Sequence, residues 1–364
     1  MKKLILFAAL FAAANGFAQT EVTDYKTENK KPVEGVVYAL PRNQIIVTVK
    51  AAKHTYTPGE FCQYAGSYLR LKNVSPDPKV TWKISEITAE EKAIPDSSKV
   101  YFIKMKKGTV APLIQLSEKG LIEAINCNAE KIDDIPVKSE LVAEPVKMLN
   151  PHDLLTQDVV QAGSSAKMAE LVSQEIFKMR DTKNSLLSGD LDNMPKDGAS
   201  MQIMLNQLND QDKALSSLFS GTTSDEAMTY TFVIDPQNGD YTSHALFRFS
   251  EKRGVVDADD LGGDPIEYKI ENEQSIVQKT IDPKVVKKDK KGKYDGVVYN
   301  VPSKAKFTVY NEDKVYFSSS YMIAQYGNIE TLLNDLFSNK KEKIKVQFDS
   351  LTGGLLKVDK ESVK

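Results

Sequence analysis

Few residues in this chain have the types and spacing that chemistry requires. It holds three histidines, His54, His152 and His244, and two cysteines, Cys62 and Cys127. A zinc site usually draws two ligands from one short motif, such as HExxH or CxxC. No such spacing occurs, so each histidine reads as a surface or hydrogen-bonded residue, and no metal or cofactor site is expected. Ser-x-x-Lys words occur at Ser164 to Lys167 and at Ser303 to Lys306. Where that motif is catalytic, the lysine stands one helical turn from the serine and acts on its hydroxyl proton. Ser164 does begin a helical pattern, but neither Lys-Thr-Gly nor Ser-Asp-Asn follows, and no nucleophile is assigned. Asp257, Asp259 and Asp260 lack the spacing of a calcium loop and read as a solvated turn. The 50 acidic residues offer many pairs for glycosidase chemistry, which depends on separation in space. Against that use, Trp82 is the one tryptophan, and Tyr38, Tyr101, Tyr299 and Tyr310 fall within strand patterns, where they serve as core.

The N-terminus sets the compartment. Met1-Lys2-Lys3 precedes the short apolar run Leu4 to Ala14, and Asn15-Gly-Phe-Ala18 supplies small residues for a signal peptidase. This is the order of an export signal, with cleavage before Gln19, and the run is too short to span a membrane. No later segment has the length and apolarity of a membrane helix. Losing Lys2 and Lys3 takes the formal charge from −2 to −4. No basic face follows from that balance; the run Lys287-Lys-Asp-Lys-Lys-Gly-Lys293 reads as a solvated loop, and nucleic-acid binding is not expected. In an oxidising compartment Cys62 and Cys127 can pair as one disulfide, since neither has neighbouring metal ligands. The other reading is two small buried residues.

The elements that would position a site fall into an ordered pattern. From Gln161 to Phe219, apolar residues recur at helical steps in two runs, broken at Gly189 to Gly198 by Pro195. The spacing predicts an antiparallel helical hairpin, with Val172, Ile176 and Met179 against Met204, Leu208 and Leu215. On either side, words repeat. Glu34-Gly-Val-Val-Tyr-Ala-Leu-Pro41 matches Asp295-Gly-Val-Val-Tyr-Asn-Val-Pro302, and Gln63-Tyr-Ala65 matches Gln325-Tyr-Gly327. Inside that pair, Leu116 to Ala124 resembles Phe249 to Ala258, each carrying a Ser-Glu-Lys turn with glycine at Gly120 or Gly254. The expected class is therefore α+β: two related, mainly antiparallel β-modules in mirrored order flanking a long antiparallel helical hairpin. The expected divisions are a signal peptide at 1–18, an N-terminal β-module at 19–150, the hairpin at 151–221, and a C-terminal β-module with a closing hairpin at 222–364.

Several of these words together resemble a known family: the export signal, Gly-Val-Val-Tyr-x-x-Pro, Leu218-Phe-Ser-Gly-Thr-Thr223, Phe247-Arg-Phe-Ser250 and Ala324-Gln-Tyr-Gly327. The chain resembles a domain-of-unknown-function family of secreted Bacteroidetes proteins over nearly its whole mature length. The resemblance implies a Gram-negative envelope setting, in the periplasm or at the outer-membrane surface, and carries over no catalytic residue. In that setting Asp349-Ser350-Leu351 resembles the acceptor motif of Bacteroidetes O-glycosylation and marks Ser350 as a glycan acceptor. The expected role is a non-enzymatic binding or assembly module whose partner is an envelope protein or glycan. The alternative is a glycan- or peptidoglycan-directed hydrolase whose carboxylates the fold brings together.

Overall fold

The computed structural model describes residues 21–24, 35–104, 113–129, 149–190, 197–237, 242–273, 293–294, 296–333, 337 and 342–362. The export segment at 1–18 and most of the 287–293 run lie outside the described residues. In chain order the elements begin with β1 (Glu21–Asp24), β2 (Gly35–Thr57), a 3-10 turn at Cys62–Tyr64, α1 (Ala65–Tyr68) and β3 (Lys79–Lys104). Then come β4 (Ile114–Leu116), β5 (Ile122–Ile125), a 3-10 turn at Pro151–Leu154, α2 (Gln157–Val160), α3 (Ser165–Ser188) and α4 (Gly198–Ser220). The C-terminal part is β6 (Thr222–Ile234), β7 (His244–Ser250), β8 (Gly254–Val256), β9 (Asp264–Asn272) and β10 (Lys293–Tyr294). It ends with β11 (Gly296–Tyr310), β12 (Val315–Leu333), β13 (Glu342–Phe348) and β14 (Leu355–Ser362).

These strands form three sheets, ordered β10-β1-β3-β2-β6, β12-β11-β9-β7-β8 and β14-β13-β5-β4. The class is mixed and antiparallel in its sheets, and two of the three sheets cross the divisions expected at 150 and 221. β6 pairs with β2 from Ile45 to Thr57, and β13 pairs with β5. Strand pairing joins segments that are neighbours in space, so two of the sheets draw strands from both sides of the helices, while the β12-β11-β9-β7-β8 sheet stays within His244 to Leu333.

β2 shows how one sequence row makes a core. With a period of two, Pro41, Asn43, Ile45, Val47, Val49 and Ala51 share a face. All are buried, while Arg42, Gln44, Ile46, Thr48 and Lys50 alternate with them at intermediate exposure. The β-branched members of the row pack on Phe307, Val309, Ile323, Phe247 and Ile270 from the second sheet, a sheet-on-sheet core. A second core lies beyond Pro41, where Tyr38, Leu40, Tyr101 and Ile103 meet Ile122 and Ile125 of β5, Ile344, Val346 and Phe348 of β13, and Val297 to Tyr299.

At its far end β2 leaves the body. Past the Lys53↔Trp82 pair, the rows from His54 to Thr57 pair only with β3 and β6, forming a short three-stranded neck. Beyond it stands a helical head with its own core of Phe61, Leu69, Val159, Val172, Ile176, Leu215 and Phe219. Ser164 caps α3 by accepting the Lys167 amide, and Asp197 caps α4 by accepting that of Ser200. Gly189 ends α3 in the left-handed region. Arg180 donates to Asp212 and Lys183 to Asn209, so contacts step back along α4 as they advance along α3. Val172, Ile176 and Leu215 are buried as the stripe requires. Leu208 is only half-buried, and Met204 is 41 % exposed. The reason is placement: the head's core gathers around Phe61 and Val159, while the first turns of α4 stand beyond it.

The disulfide between Cys62 and Cys127 does not form. Both cysteines are free. Cys62 sits in the head, past the end of β2, whereas Cys127 follows β5, and its thiol donates to the Val346 carbonyl. Leu121, just before β5, bridges Ala39 near the opposite end of β2. From Ala39 to Thr57 the strand runs roughly 60 Å, and a bridge needs Cα atoms within about 7 Å. Among the described residues no helix is long and apolar enough to cross a membrane.

Candidate functional site

The residues singled out for chemistry are scattered. His54 pairs with Asp225 across the neck at 2.6 Å, His152 lies in the 3-10 turn before α2, and His244 stacks on Tyr268. Among the described residues no three of His, Cys, Asp and Glu group as metal ligands. Ser164 is occupied as a helix cap, and Lys167 pairs with Glu170. Ser303 is buried and donates to Asn272, while Lys306 is exposed on β11. An offset of three on a strand puts them on opposite faces, so they cannot act together. Asp260 binds Arg253 and the Gly262 amide in an exposed turn.

The repeated words meet at a polar seam between the two β-cores. Pro41 and Pro302 each lie at an irregularity of their ladder, within the strand rather than at its end. Between them runs the turn from Asp349 to Gly354. A Cβ on Gly353 would lie 2.7 Å from Pro41, too close without a shift, and one on Gly354 would press on Pro302 at 3.1 Å. Gly353 also holds a left-handed φ of 69°. Asn300 donates to the carbonyls of Pro41 and Thr352. Asn43, fully buried, accepts from the Ala324 amide and donates to the Leu351 carbonyl. Its backbone exchanges two further bonds with the Gln325 side chain. The Tyr38 hydroxyl accepts the Val298 amide and donates to its carbonyl, while Tyr299 donates to Glu330. Gly120 and Gly254 both take left-handed conformations in the turns β4–β5 and β7–β8. Gln63 does not match Gln325: it lies exposed in a 3-10 turn, whereas Gln325 sits in β12.

Sequence reasoning missed one carboxylate in the seam. Glu91 occupies the inward row of β3 with Ile87, Ala89 and Ala93, opposite Ile45. Its Oε1 is buried without a hydrogen-bond partner among the described residues. Burial, then the negative charge of Asp349, pushes its pKa up to about 7. Tyr321 of β12 donates to the Ala89 carbonyl beside it, and burial raises that hydroxyl's pKa, with Glu91 and Glu90 adding to the shift. The available signal was a charged residue inside an otherwise apolar period-two row. Asp349 is itself tied down, accepting from the Leu351 amide and the Thr352 hydroxyl, and Ser350 projects from the turn, exposed.

A cavity of about 430 Å³ opens where head meets neck. Tyr56 ends β2 there, Leu71 to Ser75 form one wall, and Lys79 and Ser220 complete the mouth. The Tyr56 hydroxyl spans the junction, its one proton shared between the carbonyls of Ser75 and Ser220 at 2.9 and 3.1 Å. Arg70 and Asn73 hold left-handed φ values of 57° and 62°. The Leu71 amide reaches back to the Ala65 carbonyl, so Arg70 takes the left-handed cap of α1, a place usually given to glycine.

Residues 34–356 match the model of a family described as a domain of unknown function, DUF4831. The chain belongs to that family. The matched span takes in the seam, the neck and the head, so both candidate sites lie within the DUF4831 domain. No curated protein and no solved structure matches the chain.

Proposed function

We propose that this protein is a non-enzymatic binding or assembly module, exported to the envelope of a Gram-negative bacterium. The observation that carries this reading is the placement of the head. It has a separate core, is held past the body on a neck of three strands, and exposes Phe177, Leu187, Ile203 and Met204. Exposed apolar side chains on two helices offer surface to a partner. The Lys2-Lys3 tip and the apolar run after it support export, and exposed Ser350 beside a restrained Asp349 supports glycan attachment at that turn. The two β-halves are read as related through the words that place Pro41 and Pro302 on adjacent glycines.

A hydrolase remains the second reading because Glu91 and Asp349 place one carboxyl of raised pKa beside another. Burial of the Glu91 Oε1 counts against it, since a substrate would have to displace packed residues to reach that atom. A photo-crosslinking residue at Ile203, with Leu261 on the body as control, distinguishes the readings in native envelopes. A discrete adduct from Ile203 and none from Leu261 supports the module. Release of soluble glycan from peptidoglycan by the wild type, abolished in Glu91→Gln, would replace it with the hydrolase.

A further inference from the structure

The cavity between head and neck has a lining suited to one class of ligand. Its floor is apolar and aromatic, made by Leu71, Val74 and the Tyr56 ring, and its rim carries Lys72 and Lys79. Both lysines are exposed, and neither has an ion-pair partner among the described residues. Among the described residues no acid lines the cavity; Asp77, close in sequence to Lys79, is not part of it. The floor is fixed before any ligand arrives. The Tyr56 hydroxyl is held by two carbonyls, and Gly221 closes on the ring so tightly that an added Cβ would lie 2.7 Å from it. The wall is fixed as well, by Arg70 and Asn73 in conformations that L-residues adopt at a cost and that gather at ligand sites.

We propose that this cavity binds an anionic sugar, a hexose-sized ring bearing a carboxylate or a phosphate. The ring lies against Tyr56 and Leu71, and the charge sits between Lys72 and Lys79. The volume falls within the range of small-molecule sites. The apolar floor requires a ring or chain behind the charge, so a bare inorganic anion leaves most of the lining unused. Lysine ammonium groups act as point charges and accept either anion, unlike the fixed fork of arginine. The assignment rests on reading the protein as a binding module and names the ligand of its head–neck junction.

The test is calorimetric titration of the mature full-length chain with glucuronic acid, glucose 6-phosphate, glucose and inorganic phosphate. At least one acidic sugar is expected to bind about tenfold or more tightly than glucose and inorganic phosphate, with affinity falling as salt rises. Which of the two acids binds identifies the charged group. The double variant Lys72→Gln, Lys79→Gln is expected to lose about tenfold or more of that affinity at an unchanged melting temperature, because both side chains are exposed and unpaired. Equal binding of glucose, equal binding of inorganic phosphate, or no binding by either acidic sugar overturns the proposal. Crosslinking from Ile203 does not involve the two lysines, so the partner reading and the sugar reading fail separately.

Discussion

The two ends of β2 handle polar groups in opposite ways. At Asn43 the polar side chain is buried with both its oxygen and its nitrogen engaged, tying β2 to β12 and to the 349–354 turn. At Tyr56 the hydroxyl is engaged too, but it ties the 71–75 wall to the end of α4 beside an open cavity, and Lys72 and Lys79 there are exposed and unpaired among the described residues. One end uses polarity to fix which sheets meet. The other leaves polarity accessible. Buried polar groups of the first kind specify an arrangement, and their removal leaves partners unsatisfied. The difference separates a part of the molecule that must hold still from a part that can engage something else.

That contrast breaks most readily at the seam. Asn43→Leu strands the Ala324 amide and the Leu351 carbonyl, and should cost about 3–5 kcal/mol in urea unfolding. A cost below about 1 kcal/mol would show that the seam does not specify the arrangement. Gly353→Ala adds a Cβ 2.7 Å from Pro41 at a left-handed φ, and should cost about 2–4 kcal/mol. The same substitution at Gly120, also left-handed but with nothing within 4 Å, should cost only the conformational part, about 1 kcal/mol.

Protonation sharpens the comparison further. The folded pKa of Glu91 lies at about 7, above its ordinary 4.5. A carboxyl with a raised folded pKa contributes fully below the unfolded value, and its contribution is lost as pH rises through the folded one. Stability should therefore fall between about pH 4.5 and 7 and level off above, by about 1–2 kcal/mol once screening of this partly exposed group is allowed for. Glu91→Gln should flatten that slope and exceed the wild type above pH 7; identical melting curves for the two proteins across this range would refute it. At the head end the effects are smaller. Arg70→Gly relieves a left-handed cap and should gain about 1 kcal/mol, seen as a raised melting temperature. Reductant should leave the melting temperature where it is, because Cys62 and Cys127 are separate thiols.

Much of the frame could be read from the chain. The alternation Gln44 to Val49 announces β2, the three-and-four spacing of Val172 and Ile176 announces α3, and Pro195 marks the break before α4. The repeated prolines signal a special position, though the partner they meet, the glycine pair at 353 and 354, lies in a turn well beyond both that no local pattern ties to either proline. Glu91 was hidden because a lone acid in a strand usually points to solvent, and its direction depends on register, which sheet pairing decides. The cavity was illegible for a different reason. Tyr56, Lys79 and Ser220 come from three segments, and the wall between Leu71 and Ser75 owes its shape to left-handed residues that carry no glycine to betray them. The disulfide expectation failed on distance alone, since two cysteines say nothing of the strand laid between them.

The neck also has a mechanical consequence. α4 passes through Gly221 directly into β6, and β6 is laddered to β2 without interruption from Thr57 to Ile45. A pull on the head along the strand axis loads that ladder in shear, so its hydrogen bonds resist together instead of parting one by one. Sliding by a single residue would turn every inward side chain of β6 outward. The ladder therefore has no intermediate notch in which to rest. Tension applied to the helices is delivered to Asn43 and the seam as a nearly rigid displacement, and the body feels a tug on the head without the neck stretching first.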